Sequence, residues 1–456
     1  MSGLSFFRRM SLHRLRKSST SSHTDQPSPV DILAPVDDEP LFTPETQTVL
    51  LLHAAKQPYQ LTDSYPVPQL QGDREVLVRV QAIGLNPIDW KAPDFNFALP
   101  ELPYISGREL AGEVVQTSTR PSRLRSRDKV LVISTDYRDL RKAAYQEYVV
   151  AFDYNIVRLP PSLSVEEGST LGVAFVAAAL ALGVCMGVDF SGVLDGPDLF
   201  SLIRQVDPEA VASDIRSECL DGIQSHERAK AGDWLAIWGG SSTSANLTIQ
   251  LARLVGIKTV VVVDKAKHGL RLANHTVLRP DLLVDSHSPE RAVAIIRGNL
   301  PGQVRFGIDT RGRDTATSLL QALSPSNLAS TLPISSATTK PPAATAASDG
   351  SPPVTPPATP HASTLLSAHL IGLTGLPKPP PPEGTLFHTV PIKLFHELSA
   401  VGDALATWLE RLLASGLVAP PEIIDVEHGL ASVNGALDRM RKGEISGGKL
   451  VVKVAA

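Results

Sequence analysis

Residues 234 to 264 read WLAIWGGSSTSANLTIQLARLVGIKTVVVVD. An apolar run turns through two glycines and four hydroxyl side chains, enters a helical period, and leads into a second apolar run that ends on Asp264. This order predicts strand, tight turn, helix and strand. Further strand candidates follow at 281–285, 304–309 and 369–375, separated by helical patterns such as PERAVAIIRGNL. Near-continuous apolar strands that alternate with helices require a parallel sheet covered on both faces. The predicted class is therefore α/β, with a Rossmann-type doubly wound parallel sheet.

The turn itself points to a ligand. A helix that begins just after a strand presents free backbone N–H groups and the positive end of its dipole, which suit a pyrophosphate. Gly239 and Gly240 allow the tight turn, and Ser241, Ser242, Thr243 and Ser244 offer hydroxyl donors. Ala245 stands where a dinucleotide turn has its third glycine, at the cost of one methyl group. Asp264 lies about twenty residues on, where an acid hydrogen-bonds the adenosine ribose. Such an acid favours NADH, whereas Lys265, Lys267 and His268 directly after it offer charge for the 2′-phosphate of NADPH.

The rest of the chain divides by texture. Residues 1–45 read as a disordered basic tail; Arg8, Arg9, Arg14, Arg16 and Lys17 precede the first acid, Asp25. That segment leaves two localisations open, cytoplasmic with a basic tail or mitochondrial with a transit peptide. Residues 46–164 hold short Val-rich strands bounded by Gly, Pro and Asp, as in a small β-rich domain. Residues 165–418 carry the nucleotide domain, with an acidic insertion at 189–227 and a Ser/Thr/Ala/Pro-rich one at 330–363 that is expected to be disordered. Residues 419–456 return to a strand pattern. Leu398, Val401, Leu405, Trp408 and Leu412 form one helical apolar stripe, read as core.

Composition narrows the function classes. A net charge of −4 gives no reason to expect a nucleic-acid partner. Cys185 and Cys219 are the only cysteines, too few for a disulfide framework or a four-cysteine zinc lobe. No apolar run is expected to reach the roughly 18 residues of a bilayer span, and the longest candidate, 170–188, reads as a buried helix.

With these residues assembled, the chain resembles the medium-chain dehydrogenase/reductase superfamily. The landmarks are VLVRVQAIGLNPIDWK, ISGRELAGEVV, RDKVLVIS, AAYQEYV and FGIDTRGRDTA. GLNPIDWK and WGGSSTSANLTIQLARLVG look most like the trans-acting enoyl reductases of fungal polyketide pathways, within the zinc-free enoyl and quinone reductases. The resemblance implies a GroES-like catalytic domain before the Rossmann domain, and NADPH as cofactor, with NADH left open. It also implies reduction of an activated carbon–carbon double bond in an enoyl thioester, enone or quinone-like acceptor. A polyketide synthase partner and a homodimer are further expectations. The alternative is a non-catalytic cofactor-binding scaffold on a reductase fold.

Zinc alcohol dehydrogenases place a cysteine in the GLNPIDW segment and a His-Glu pair in GRELAG. Here stand Leu85, Asn86 and Pro87, then Arg108 and Glu109, so no metal is expected. By the same resemblance the GLNPIDWK loop lies beside the nicotinamide. Lys91 becomes the candidate proton or hydrogen-bond donor, Asn86 a substrate or cofactor contact, and Asp89 a group that orients Lys91. Asp309 and Thr310 are expected to close a strand end over the cofactor. Tyr104 is read as core.

Overall fold

The computed structural model describes residues 41–327 and 365–454. The basic segment before residue 41 and the whole 330–363 insertion lie outside the described residues, and with them the expectations placed there. Residues 41–45, within the expected tail, are among those described, and the Leu41 amide donates to the Val115 carbonyl at 3.1 Å.

Six parallel strands form the central sheet of the nucleotide lobe, in the spatial order 282–285, 258–263, 234–238, 304–309, 368–372, 385–389. Counted along the chain this is the order 3-2-1-4-5-6. Successive connections run outward in one direction from Trp234–Trp238 and then in the other from Val304–Asp309. A crevice opens between the carboxyl ends of those two strands, where ligands of such sheets bind. The sixth strand, Thr385–Thr389, is not apparent in the sequence. It is an edge strand with one buried side chain, and it follows a run of prolines, so no apolar run marks it.

A second sheet is built from the first and last parts of the chain. Its long central strand Glu75–Gly84 pairs with Glu109–Gln116, with Tyr148–Phe152 and, through residues 82–84, with Lys449–Lys453 near the C-terminus. Ile423–His428 lies parallel to Lys449–Lys453 at the sheet edge. The C-terminal strands thus cross back to the first lobe and bring residues 445–450 over the nucleotide turn.

The apolar segment after Ser164 folds as short helices, Val165–Gly168 and Gly172–Leu180, followed by a π-helical turn Ala181–Cys185. Taken together, Val165–Cys185 is long and apolar enough to cross a membrane, which corrects the expectation that no run reaches that length. Most of it is buried within the protein, where it packs against the helix Thr243–Leu254. The acidic insertion joins the same core through Phe190, Leu199, Ile203 and Cys219. Trp408, on the helix Ser399–Ala414, holds it by donating from Nε1 to the Val193 carbonyl at 3.0 Å.

Candidate active site

The two glycines of the turn do different work. Gly239 has φ +86°, a left-handed conformation that side chains resist, and a Cβ there would lie 2.3 Å from Thr310 Oγ1. A Cβ on Gly240 would lie 2.0 Å from Val261 Cγ1, inside the neighbouring strand. Gly240 is therefore required by the packing of turn on sheet. Ser242 caps the helix Thr243–Leu254: its hydroxyl accepts from the Ala245 amide at 3.1 Å and donates to Thr310 Oγ1 at 3.1 Å. The Thr310 hydroxyl in turn donates to the Gly239 carbonyl at 3.0 Å. Ser242 and Thr310 thus brace the turn, while Ser241 and Thr243 line the crevice beside them. Ser244 lines neither cavity described below, and Ala245 is wholly buried against the core. Asp309 shapes the strand end by accepting from the amides of Arg311 and Gly312 at 2.9 and 2.7 Å.

A small cavity lies on the outer side of the turn, lined by Trp238, Ser241, Asp264, Lys267, Arg311 and Ser446, among others. Asp264 sits at the end of its strand and caps the next helix, accepting from the Lys267 amide at 3.1 Å. Lys267 Nζ stands 4.0 Å from its carboxylate. Lys265 lines neither cavity. His268 is buried, with Nε2 2.9 Å from Ser446 Oγ. Burial, and next the Arg271 charge, push its pKa below the usual imidazole value, so it brings no positive charge at neutral pH.

The larger cleft, about 350 Å³, runs between the turn, the helix Pro87–Phe95 and residues 445–450. Lys91 and Arg311 both line it. Neither makes a side-chain ion pair among the described residues; the Lys91 ammonium lies 5.6 Å from the Trp90 ring centroid. The expected pairing of Asp89 with Lys91 is not found. Asp89 is wholly buried and accepts from the Asn86 amide at 2.8 Å, and Asp94 pairs with Arg441 at 2.8 Å. Burial raises the Asp89 carboxyl to a pKa of about 6.

Asn86 is also committed to the protein. Its Nδ2 donates to Glu109 Oε1 at 3.0 Å, and its Oδ1 accepts from Lys449 Nζ at 2.8 Å. Lys449 and Glu109 form a direct ion pair, both side chains buried. The second Glu109 oxygen accepts from the Val173 amide at 2.8 Å. Arg108 is buried beside them, donating to the Tyr104 hydroxyl and lying 3.8 Å from the Tyr137 ring centroid. Where the zinc enzymes carry their ligands, Arg108 of the GRELAG segment and Lys449 of the C-terminal strand bring two cations here, facing Asp89 and Glu109. These residues do not fit a divalent metal, whose charge the cations already supply.

Arg311, Ser446 and Lys449 are site residues that the sequence reading missed. Arg311 directly follows the flagged Asp309 and Thr310, and adjacency was the one available signal. Ser446 and Lys449 reach the cleft only because the C-terminal strands cross back.

Fold and site together define a two-lobed protein with a Rossmann-like parallel sheet and a cleft at the sheet's switch point. Residues 72–161 match the alcohol dehydrogenase GroES-like domain. The chain is 28% identical over 255 residues to the trans-enoyl reductase caaB of Aspergillus niger, covering 55% of this chain and 60% of that protein. It is 36% identical over 129 residues to a chloroplastic quinone-oxidoreductase homolog of Spinacia oleracea, covering 28% and 38% respectively. The matches to the trans-enoyl reductases span about half the length of those curated relatives. The fold matches that of an alcohol dehydrogenase superfamily protein from Novosphingobium aromaticivorans with a TM-score of 0.61 at 17% identity, covering 90% of this chain and 100% of that one. Over part of its length the chain is thus similar to enoyl and quinone reductases, and it shares the fold of an alcohol dehydrogenase superfamily protein.

Proposed function

We propose that the protein is an NAD(P)H-dependent reductase of an electron-poor carbon–carbon double bond or a quinone-like acceptor, acting without a metal in the cleft. The observation that carries this reading is the cleft at the sheet's switch point, with Lys91 on one wall and Arg311 on the other. A bound reduced nicotinamide would supply the hydride. Negative charge then grows on the acceptor oxygen, and a positioned donor must meet it. Lys91 is the free cation on the wall opposite the turn, so it takes that role. Asn86 is held inside the protein and acts as a positioning residue, fixing the start of the Lys91 helix. Arg311 lies against Gly239 and faces both cavities, which suits it to the pyrophosphate.

Two cations, Lys267 and Arg311, line the small cavity with one acid, Asp264. That balance supports NADPH over NADH. Lys265 and His268 drop out of the argument, the first by position and the second by its neutral ring.

Mixing the purified protein with NADPH or NADH and a panel of enones, quinones and crotonyl thioesters tests the reading through loss of nicotinamide absorbance. Turnover with one acceptor class, faster with NADPH, is expected. Tight NADPH binding with no turnover on any acceptor would replace this reading with that of a cofactor-binding scaffold.

A further inference from the structure

Away from the cleft, two imidazoles and two carboxylates form a buried row. His388 stands on the edge strand Thr385–Thr389 and His369 on the neighbouring strand Ala368–Gly372. His388 Nδ1 is 2.8 Å from Glu218 Oε1, and its Nε2 is 2.9 Å from His369 Nδ1. At the far end His369 Nε2 faces Glu227 Oε2 at 3.9 Å and has no hydrogen-bond partner among the described residues. The two rings are 0% and 1% exposed, cut off from bulk water.

The protons in this row do not balance. Both ends are acceptors, and two neutral imidazoles bring one N–H each. If His388 donates to Glu218 and His369 donates to His388, the last contact sets a ring lone pair against a carboxylate. The row is short of one positive charge.

Cys185 stands at the Glu218 end. It closes the π-helical turn Ala181–Cys185, a distortion often found at functional sites. Cys185, Glu218 and His388 each offer a ligand atom, and these atoms all lie within 4.8 Å of one another.

We propose that Cys185, Glu218 and His388 bind a zinc ion that fastens the acidic insertion 189–227 to the edge of the parallel sheet. A thiolate and a carboxylate neutralise the dication, and His388 Nδ1 is the third protein ligand. Glu218 is partly exposed, which lets a water take the fourth position. The donor set, with a thiolate and an imidazole, selects zinc over magnesium or calcium. With the metal on Nδ1, His388 carries its proton on Nε2 and donates to His369 Nδ1. His369 then carries its own proton on Nε2 and faces Glu227 as a donor, so every contact in the row is matched. Such a donor beyond the ligand is the usual support for a metal-bound histidine. None of the three ligands lines the cleft. The expectation of no metal rests on the GLNPIDW and GRELAG segments and does not reach this set, whose members lie far apart in the chain.

The test uses the full chain, purified under reducing conditions, stripped of metal and titrated with Co(II). One equivalent should give the visible bands of a tetrahedral site and a thiolate-to-cobalt charge-transfer band, both abolished by Zn(II). Competition against a chromophoric chelator should show zinc affinity falling at least about tenfold in Cys185→Ser and His388→Gln, with Cys219→Ser unchanged. Absence of the thiolate–cobalt band from the folded wild-type protein overturns the proposal. So does a Cys185→Ser variant that binds zinc like wild type. If the variants fail to fold, the wild-type cobalt spectrum decides alone.

Discussion

Replacing Gly240 by alanine distinguishes a glycine kept for a ligand from one kept for packing. The new Cβ would lie 2.0 Å from Val261 Cγ1 and 3.4 Å from Val261 Cβ. Comfortable carbon contacts lie near 3.5–4.0 Å, so one partner must retreat by about 1.5 Å. Val261 is fixed, because its strand is bonded on both sides, to Ile237 and to Leu283 in register. The turn must therefore lift, and the start of the helix with it, loosening the buried Ala245 and Leu247. Overpacking of this kind costs about 1–3 kcal/mol, and a rigid neighbour puts it near the upper end. Val261→Ala removes the obstructing Cγ1. Alone it should cost about 1.6 kcal/mol for two methyl groups, plus a cavity contribution. Together the two changes should cost no more than Val261→Ala alone, because the new methyl fills the space vacated. The coupling energy should then be about 3 kcal/mol in favour of the pair. Urea unfolding of the four proteins measures it, and titration of nicotinamide fluorescence follows the site in parallel. NADPH affinity should fall in Gly240→Ala and return in the double variant. Additive costs would refute the packing argument. So would a Gly240→Ala protein as stable as wild type that no longer binds NADPH.

Lys449→Met strands the buried Glu109 carboxylate and should cost about 3–5 kcal/mol in urea unfolding, most of it recovered by adding Glu109→Gln; a loss below about 1 kcal/mol would show the pair is not needed. Lys91→Met should lower turnover by about 100-fold or more while the NADPH dissociation constant stays within a factor of about two, and unchanged turnover would remove Lys91 from the chemistry. Lys267→Ala should weaken NADPH by about tenfold and leave NADH nearly unchanged, whereas Arg311→Ala should weaken both; equal loss of the two cofactors in Lys267→Ala would place that lysine elsewhere than the 2′-phosphate. Asp89 is held near a pKa of about 6 in the fold, above the unfolded value of about 3.9. The folded state thus holds its proton more tightly, and stability should fall as pH rises from about 4 to about 6. Asp89→Asn should flatten that part of the urea-midpoint profile, and an unchanged slope would assign it to other groups.

Much of the nucleotide lobe was legible along the chain, for a local reason. Strands buried on both faces must be apolar throughout, so WLAIW, TVVVV and VRFGID announce themselves without reference to their neighbours. Gly-Gly between strand and helix is likewise a local requirement of backbone geometry. The edge strand Thr385–Thr389 gave no such signal, because an edge strand tolerates polar side chains on its open face. The side-chain assignments in the site were less legible. A serine after the glycines announces a hydroxyl, but whether it meets a phosphate or caps a helix depends on where Thr310 and Ala245 lie.

The sequence by itself determined the order of strand, turn and helix, the place of the Gly-Gly turn, and the absence of cysteine and histidine from the GLNPIDW and GRELAG segments, because each depends on residue types in a short stretch of chain. Only the tertiary structure decided that Asn86 is bound to Glu109 and Lys449, that Arg311 and Lys91 face one cleft, and that Cys185, Glu218 and His388 converge. Those contacts join residues from 23 to 363 positions apart, and nothing in local propensity or period carries the distance between them.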